Sequence, residues 1–147
     1  MKQPPTRTKL APDPVGHKGA VSEHSFALPP SPTSPREARE RAARELAGWG
    51  DADARHAVIL LISELVTNAV VHARSTVTID LAVNDDGPVH VNVHDESRVR
   101  PTPRRHHVDR PGGRGMHLLE SLAARWGVEE SRTGKSIWFE VDRLQPG

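Results

Sequence analysis

Two polar residues, Glu64 and Asn68, stand four positions apart in the most apolar stretch of the chain. In a helix this spacing places both side chains on one face. The Asn68 amide oxygen is a suitable ligand for a hard cation such as Mg²⁺, and the Glu64 carboxylate is suited to accept a proton from an attacking hydroxyl. The alternative is a solvent-facing stripe, or a structural ion pair with Arg55 or Arg74, because a buried carboxylate needs a partner. These residues by themselves leave both explanations open.

A further carboxylate, Asp95, lies at the end of segment 89–93, in which valine alternates with polar residues as in a half-buried strand. A carboxylate at a strand end can project into a cavity and accept a hydrogen bond from an exocyclic amine such as that of adenine. Aspartate also commonly begins turns, so this residue alone is a weak signal.

The glycine-rich turn Gly112-Gly113-Arg114-Gly115 leads into segment 116–126, which the spacing of its apolar residues predicts to be a helix. Free backbone amides and the helix dipole favour a phosphate at such a helix start, and glycines let the anion approach the backbone. The alternative is a surface loop, because the pattern is neither the Rossmann fingerprint nor the P-loop.

The loop between Glu96 and Gly115 is strongly basic and holds only two acidic residues, Glu96 and Asp109. Long loops in small domains are often lids, and a basic lid would close over a triphosphate. A nucleic-acid patch is the competing interpretation, which is disfavoured because the loop has no aromatic residue for base stacking. The basic residues are Arg98, Arg100, Arg104, Arg105, Arg110 and Arg114.

Four histidines in or near this loop, His90, His94, His106 and His107, raise the question of a metal site. His90 and His94 share one face of the predicted strand. In a chain without cysteine, we interpret these residues as surface histidines rather than as zinc ligands.

Patterning also predicts the elements that position these residues. Ser34 is predicted to cap a first amphipathic helix, with proline at the first helical position and Glu37 completing a capping box. A second, largely buried helix is predicted from a cap at Asp51 or Asp53 to about residue 73.

Strands are predicted at 25–28, at 77–83 and 89–93 around an Asp86-Gly87 turn, and at 137–141 after a Thr133-Gly134 turn. Helices mixed with hairpin-joined strands predict an α+β fold. The expected architecture is a two-layer α/β sandwich with helices on one face of a mostly antiparallel sheet.

The composition indicates a single soluble domain: the chain has 147 residues, of which 35% are hydrophobic and 27% charged. Residues 1–22 are predicted to be a disordered tail, residues 23–143 the domain and residues 144–147 a C-terminal tail. No apolar run is expected to span a bilayer, no secretory signal is evident and cysteine is absent, so a cytoplasmic location is expected. A net charge of +1 gives no support for nucleic-acid binding.

Taken in order, segment 64–73 (Glu-Leu-Val-Thr-Asn-Ala-Val-Val-His-Ala), Asp95 and segment 113–116 (Gly-Arg-Gly-Met) resemble the N, G1 and G2 boxes of the GHKL ATPases. This superfamily has the Bergerat fold and includes gyrase, sensor histidine kinases and anti-sigma-factor serine kinases. The nearest resemblance is to the small anti-sigma-factor-like ATP-binding proteins of actinobacteria, and it covers about residues 26–141. Three motifs in the right order are much rarer by chance than any one of them.

The resemblance implies that ATP and Mg²⁺ are the ligands. Asn68 would bind Mg²⁺, Asp95 would bind the adenine amine, and Glu64 would be the general base. Ser97 stands where the G1 box usually has glycine, and it is small enough to permit a similar turn.

The resemblance also implies further contacts with the nucleotide. The phosphates would lie against the lid and the helix start, at Gly113, Arg114, Gly115 and Met116. A closing hairpin would border the adenine, with Thr133 or Ser136 as a polar contact.

The leading functional hypothesis from the sequence is an ATP-dependent serine/threonine protein kinase that phosphorylates an anti-anti-sigma partner and sequesters a sigma factor. The alternative is a non-catalytic, ATP-sensing interaction module in which the nucleotide orders the lid for a partner. A nucleic-acid-binding protein ranks third. Direct contact with nucleic acid or with a membrane is not expected, and the resemblance leaves a homodimer open.

Overall fold

The computed structural model describes residues 20–96 and 114–145, without the side chains of residues 114–116. In this part of the chain, helix α2 continues into a π-helical turn, Ala69–Ala73. The elements are β1 (Val21–Leu28), α1 (Ser34–Glu45), α2 (Ala52–Asn68), β2 (Val77–Asn84), β3 (Val89–Asp95), α3 (Arg114–Leu122), β4 (Arg125–Ser131) and β5 (Gly134–Val141).

The five strands form one sheet in the order β1-β2-β3-β5-β4, and every neighbouring pair is antiparallel. The predicted α+β architecture, with helices packed on an antiparallel sheet, is confirmed. Strand β1 begins at Val21, so the predicted domain start at residue 23 falls inside this strand.

Alternation along β3 separates the two faces of the sheet. Val89, Val91 and Val93 are buried on the side that meets the helices, whereas His90 and the other even-numbered residues are only partly buried on the opposite face. This is the pattern that the sequence predicts for a half-buried strand. Asp95 has the same parity as the valines, so its side chain continues the helix-facing row.

The start of α1 differs from the prediction. Thr33 is the N-cap residue, and it has helical backbone angles and makes no side-chain capping hydrogen bond. Ser34 is the first helical residue, and its hydroxyl donates to the Pro29 carbonyl at 2.6 Å. The predicted serine cap and capping box are therefore wrong, because the turn after β1 offers that hydroxyl a carbonyl acceptor outside the helix.

The start of α2 confirms one of the two predicted caps. The Asp51 carboxylate accepts a hydrogen bond from the Ala54 amide at 2.7 Å and a second from the Gln145 amide at 3.1 Å. These two hydrogen bonds hold the pKa of Asp51 below its ordinary value. They also fix the last described residues of the chain against the beginning of the central helix.

The helical segment Ala52–Ala73 is 22 residues long and contains an 18-residue window with a mean hydropathy of 1.5, which is sufficient by length and composition to cross a membrane. The prediction that no stretch approaches that length is therefore wrong. The apolar character of this helix has a use within the domain, however, because Val58, Leu61, Ile62 and Val66 are fully buried in the core. Core helices of soluble proteins commonly have the same length and apolar composition.

The helix that carries Glu64 and Asn68 extends to Ala73 as predicted, but its last turn is π-helical rather than α-helical. Directly after Asn68, residues Ala69–Ala73 form a π-helical turn. Arg74 then adopts a left-handed conformation, with φ of 54°, and its amide donates to the Ala69 carbonyl at 3.0 Å. Single π-helical turns of this kind occur often at functional sites.

The third helix is shorter than predicted and begins earlier. It spans Arg114–Leu122 rather than residues 116–126, and Trp126 lies in β4, where it pairs with Phe139 of β5. The apolar spacing that suggested a helix to residue 126 ends instead in a strand, because Trp126 and Val128 both occupy the helix-facing side of β4 beside Phe139 and Ile137.

Candidate functional site

The end of α2 and the end of β3 come together at one edge of the sandwich. Only residues 74–76 separate the π-helical turn from Val77, the first residue of β2. Val77 pairs directly with Asp95, the last residue of β3. The helix end that carries Asn68 therefore lies at the same end of the sheet as Asp95.

A side-chain hydrogen bond fixes this junction. The Ser75 hydroxyl accepts from the Glu96 amide at 2.9 Å and donates to the Thr76 carbonyl at 3.1 Å. The connection from helix to sheet is thus tied to the residue that directly follows Asp95. A displacement of either segment would break a hydrogen bond, so the two sides of the site are coupled.

Asp95 is 5% exposed and is the one buried acidic residue in the described part of the chain. It lies on the helix-facing side of the sheet, in line with Val91 and Val93. A carboxylate in this position faces the layer between the sheet and the helices. This is the placement that the sequence predicts for a residue that recognises an amine inside a cavity.

Glu64 and Asn68 are both partly exposed, whereas Leu65 and Val66 beside them are buried. Neither residue is held by a described partner. The ion pair considered from the sequence does not form within residues 20–96 and 114–145: the Arg55 guanidinium donates to the Trp49 and Gly50 carbonyls instead. Both polar groups therefore remain accessible to a ligand.

The polar residues next to them in the helix have structural roles. The Ser63 hydroxyl accepts a hydrogen bond from the Arg39 guanidinium at 2.9 Å, which joins α1 to α2. The Thr67 hydroxyl donates to the Ser63 carbonyl at 2.8 Å. Glu64 and Asn68 thus each directly follow a residue whose hydroxyl is engaged in a hydrogen bond within the domain.

The β4–β5 hairpin brings its turn to the same end of the sheet. Thr133 is exposed in this turn, and both its amide and its hydroxyl bond to the Ser131 hydroxyl, at 3.2 and 3.1 Å. Ser136 lies on the face away from the helices and hydrogen-bonds to the His94 ring at 2.8 Å. Of the two polar contacts predicted here, Ser136 is therefore directed away from the Asp95 side of the sheet.

The sequence analysis did not identify Lys135, which lies at the same end of the sheet as Asp95. Lys135 pairs directly with Asp95 across the β3–β5 ladder and shares its helix-facing side. Alternation along β5 gives the parity of Lys135, since Phe139 and Val141 are buried. The register against β3 joins strands that α3 and β4 separate in sequence, and no local pattern reveals it.

Helix α3 begins at Arg114, within the glycine-rich motif, and Gly115 and Met116 lie in its first turn. Only two residues connect α3 to β4, and Leu119 packs fully buried against the core. Helix α3 therefore ends close to Arg125, which pairs with Glu140 at the end of the sheet away from Asp95. The predicted site residues Ser97 and Gly113 lie outside the described residues.

The histidines of β3 are engaged on the opposite face of the sheet. His90 stacks on Trp138, with ring centroids 5.5 Å apart, and hydrogen-bonds to the Glu140 carboxylate at 3.0 Å. Within residues 20–96 and 114–145, no three acidic or histidine side chains cluster as metal ligands. Asn68 can serve as an oxygen ligand for Mg²⁺, because this ion is typically held by one or two protein oxygens together with phosphates.

Comparison with known proteins identifies a matching family and a similar fold. Residues 28–141 match the model of the histidine kinase-like ATPase domain. The fold is similar to the crystal structure of the RsbU and RsbW domains of Rv1364c from Mycobacterium tuberculosis, with a TM-score of 0.64 and 19% sequence identity. That match covers 86% of this chain and 34% of the other, so the chain spans about a third of that protein's length. No curated protein matches the sequence.

Proposed function

The chain belongs to the histidine kinase-like ATPase family, and on this premise we propose that it is a Mg-ATP-dependent serine/threonine protein kinase of the anti-sigma-factor type. One observation carries the proposal: the buried Asp95 lies at the same end of the sheet as the helix end with the accessible Glu64 and Asn68. This arrangement provides a base-recognition residue, a cation ligand and a proton acceptor at one edge of the domain.

The nucleotide is proposed to bind with its adenine at Asp95 and its phosphates toward α2 and α3. Asp95 accepts a hydrogen bond from the exocyclic amine, and the backbone from Gly113 to Met116 at the start of α3 receives the phosphates. Asn68 holds the Mg²⁺, which neutralises phosphate charge when it is bound. Ser97 and Thr133 complete the binding set.

Glu64 is proposed to act as the general base. It is four residues before Asn68 on the same helix face, so a proton acceptor and the cation ligand address the same space. In the transfer step, the partner's serine oxygen bonds to the γ-phosphorus while the bond from that phosphorus to the β–γ bridging oxygen breaks. The hydroxyl proton passes to the Glu64 carboxylate, and ADP leaves.

The partner is proposed to be a protein of the anti-anti-sigma type, with a sigma factor as a second, competing partner. The structural similarity to a protein that contains an RsbW domain supports this regulatory setting. Phosphorylation of one partner and sequestration of the other would link ATP supply to transcription.

The experiment measures transfer of labelled γ-phosphate to recombinant anti-anti-sigma-type proteins of the source genome. Wild type is expected to label at least one of them, and Glu64→Gln is expected to lower the rate at least about 100-fold while ATP affinity changes little, because general-base catalysis contributes 10²–10⁴. Glu120→Gln, an exposed glutamate on α3, is the control. Equal rates for wild type and Glu64→Gln would remove Glu64 as the base. ATP binding without any transfer would favour the alternative, a non-catalytic ATP-sensing module.

A further inference from the structure

Lys135 occupies a defined place beside the proposed adenine-binding residue. It lies directly opposite Asp95 in the antiparallel β3–β5 ladder. Side chains opposite one another in such a ladder have Cβ atoms about 4.5–5.5 Å apart and stand on the same face. The ammonium group and the carboxylate therefore reach the same small region above the sheet.

The backbone around Lys135 leaves little freedom for a different register. A Cβ atom on the preceding residue, Gly134, would collide with the Asp95 carbonyl oxygen and would stand 2.9 Å from Cε1 of the His94 ring. The absence of a side chain thus allows β5 to approach β3 closely at this point. This close approach fixes Lys135 against Asp95.

Lys135 is half-buried, yet it forms no ion pair with a carboxylate in residues 20–96 and 114–145. Glu130, its cross-strand partner on β4, is exposed and is not among the carboxylates that form an ion pair in these described residues. A structural salt bridge within the hairpin thus does not account for the position of the amine. A half-buried ammonium with three donors is well suited to bind an acceptor on a ligand.

Adenine presents such an acceptor next to its amine. On the Watson–Crick edge of the base, the N6 amine donates and the adjacent ring nitrogen N1 accepts. Guanine and hypoxanthine reverse this order, with a carbonyl oxygen at position 6 and an N–H at position 1. An acceptor side chain beside a donor side chain therefore matches adenine and opposes both of the others.

We propose that Lys135 is a specificity-determining residue for the nucleotide base, donating a hydrogen bond to adenine N1 while Asp95 accepts one from the N6 amine. The inference rests on the proposed function, because it assumes that adenine binds at Asp95. It adds a donor to the recognition of the base and assigns that donor to a residue on β5.

Binding of ATP and of 1-deaza-ATP, in which a C–H group replaces N1, tests the contact directly. Wild type is expected to bind 1-deaza-ATP about tenfold more weakly than ATP, because a hydrogen bond from a charged donor contributes roughly 1.5–3 kcal/mol and this site is partly open to solvent. The affinity for 7-deaza-ATP, which keeps N1, is expected to stay within about twofold of that for ATP.

Variants assign the effect to the side chain. Lys135→Met should bind ATP and 1-deaza-ATP with nearly equal affinity, whereas Lys135→Arg should retain a preference for ATP. Arg132→Met removes the same charge from the turn of the same hairpin and should leave the ratio unchanged. This control excludes a general electrostatic effect on the triphosphate.

The outcomes separate the two proposals. If wild type binds neither nucleotide, the proposed function fails. If wild type binds both equally, or if a folded Lys135→Met variant keeps the wild-type ratio, the role of Lys135 is refuted while ATP binding stands. The wild-type comparison needs no variant, so the inference remains testable even if Lys135→Met is unstable.

Discussion

The Ser75 hydroxyl accepts a hydrogen bond from the Glu96 amide at 2.9 Å, and this contact joins the two sides of the proposed nucleotide site. Ser75 follows the helix that carries Asn68, and Glu96 follows Asp95. The relative position of the proposed cation ligand and the proposed base-recognition residue thus depends on a side chain that need not touch the nucleotide.

Ser75→Ala is expected to weaken binding of Mg-ATP a few-fold, because the end of β3 and the helix connection lose their link. The free energy of unfolding should fall by about 1 kcal/mol, the usual contribution of one such hydrogen bond. Ser25→Ala is the control, since it removes a hydroxyl on the edge strand β1 that donates to Asp80 of β2. An ATP affinity equally affected by both changes would show that Ser75 has no special role at the site.

Gly134→Ala is expected to lower ATP affinity at least about tenfold, because the added methyl group would meet backbone and displace β5 from β3. Calorimetric titration measures the ATP affinity, and thermal unfolding measures the stability of the variant. Gly48→Ala is the control: Gly48 has a φ of 84° and open space around it, at the far end of the sandwich from Asp95. Gly48→Ala should lower the stability of the domain without lowering its ATP affinity. The same loss of affinity in both variants would contradict a specific effect of Gly134 on the nucleotide site.

Asn68→Ala is expected to reduce the affinity for Mg-ATP while leaving metal-free ATP nearly unaffected. The physical reason is that the variant removes a cation ligand but no contact with the base. Titrations with Mg²⁺ and with a chelator measure the two affinities separately. Asn92→Ala, on the face of the sheet away from the helices, is the matched control. Equal loss in both conditions would mean that Asn68 does not bind the cation.

Glu140 makes the free energy of unfolding depend on pH, independently of the proposed nucleotide site. A hydrogen bond from His90, together with the neighbouring Arg125, holds the pKa of Glu140 below its usual 4.5, against the opposing effect of burial. A carboxyl group whose pKa is lowered on folding stabilises the folded state at pH values above its ordinary pKa. This stabilisation is lost as the pH falls through the folded-state pKa.

Glu140→Gln should therefore lower the free energy of unfolding at neutral pH and flatten its decline below about pH 5. Chemical unfolding at a series of pH values measures both effects. Glu129→Gln, on the adjacent strand, has no such ion pair in the described part of the chain and should follow the wild-type curve. Parallel curves for wild type and Glu140→Gln would rule out this contribution.

Local patterns predicted much of this fold. The alternating valines of β3, the cap at Asp51 and the buried face of α2 were all evident, because each depends on residues near one another in sequence. Two local predictions were wrong. Ser34 bonds to the carbonyl of Pro29 rather than capping α1, and Trp126 belongs to β4 rather than to a helix, since partners from outside each segment decided the outcome.

The site was predicted less completely than the fold. The motif residues Glu64, Asn68 and Asp95 were identified by type and spacing, and the structure places their segments at one end of the sheet. The pairing of Lys135 with Asp95 depends on how β5 aligns with β3, although residues 96–133, which include α3 and β4, separate the two strands in sequence. Side-chain types do not encode that register. The hydrogen bond from the Glu96 amide to the Ser75 hydroxyl was not predicted either, because the two residues are 21 positions apart in sequence.

Calorimetric titration with Mg-ATP, on wild type and on Asp95→Asn, tests the central claim that adenine is recognised at the end of β3. Wild type is expected to bind, and Asp95→Asn to bind at least about tenfold more weakly, because a charge-assisted hydrogen bond to the amine is lost. Asp86→Asn, in the hairpin turn at the other end of the sheet, should bind as wild type does. Absence of binding by wild type, or equal affinities for wild type and Asp95→Asn, would contradict the claim.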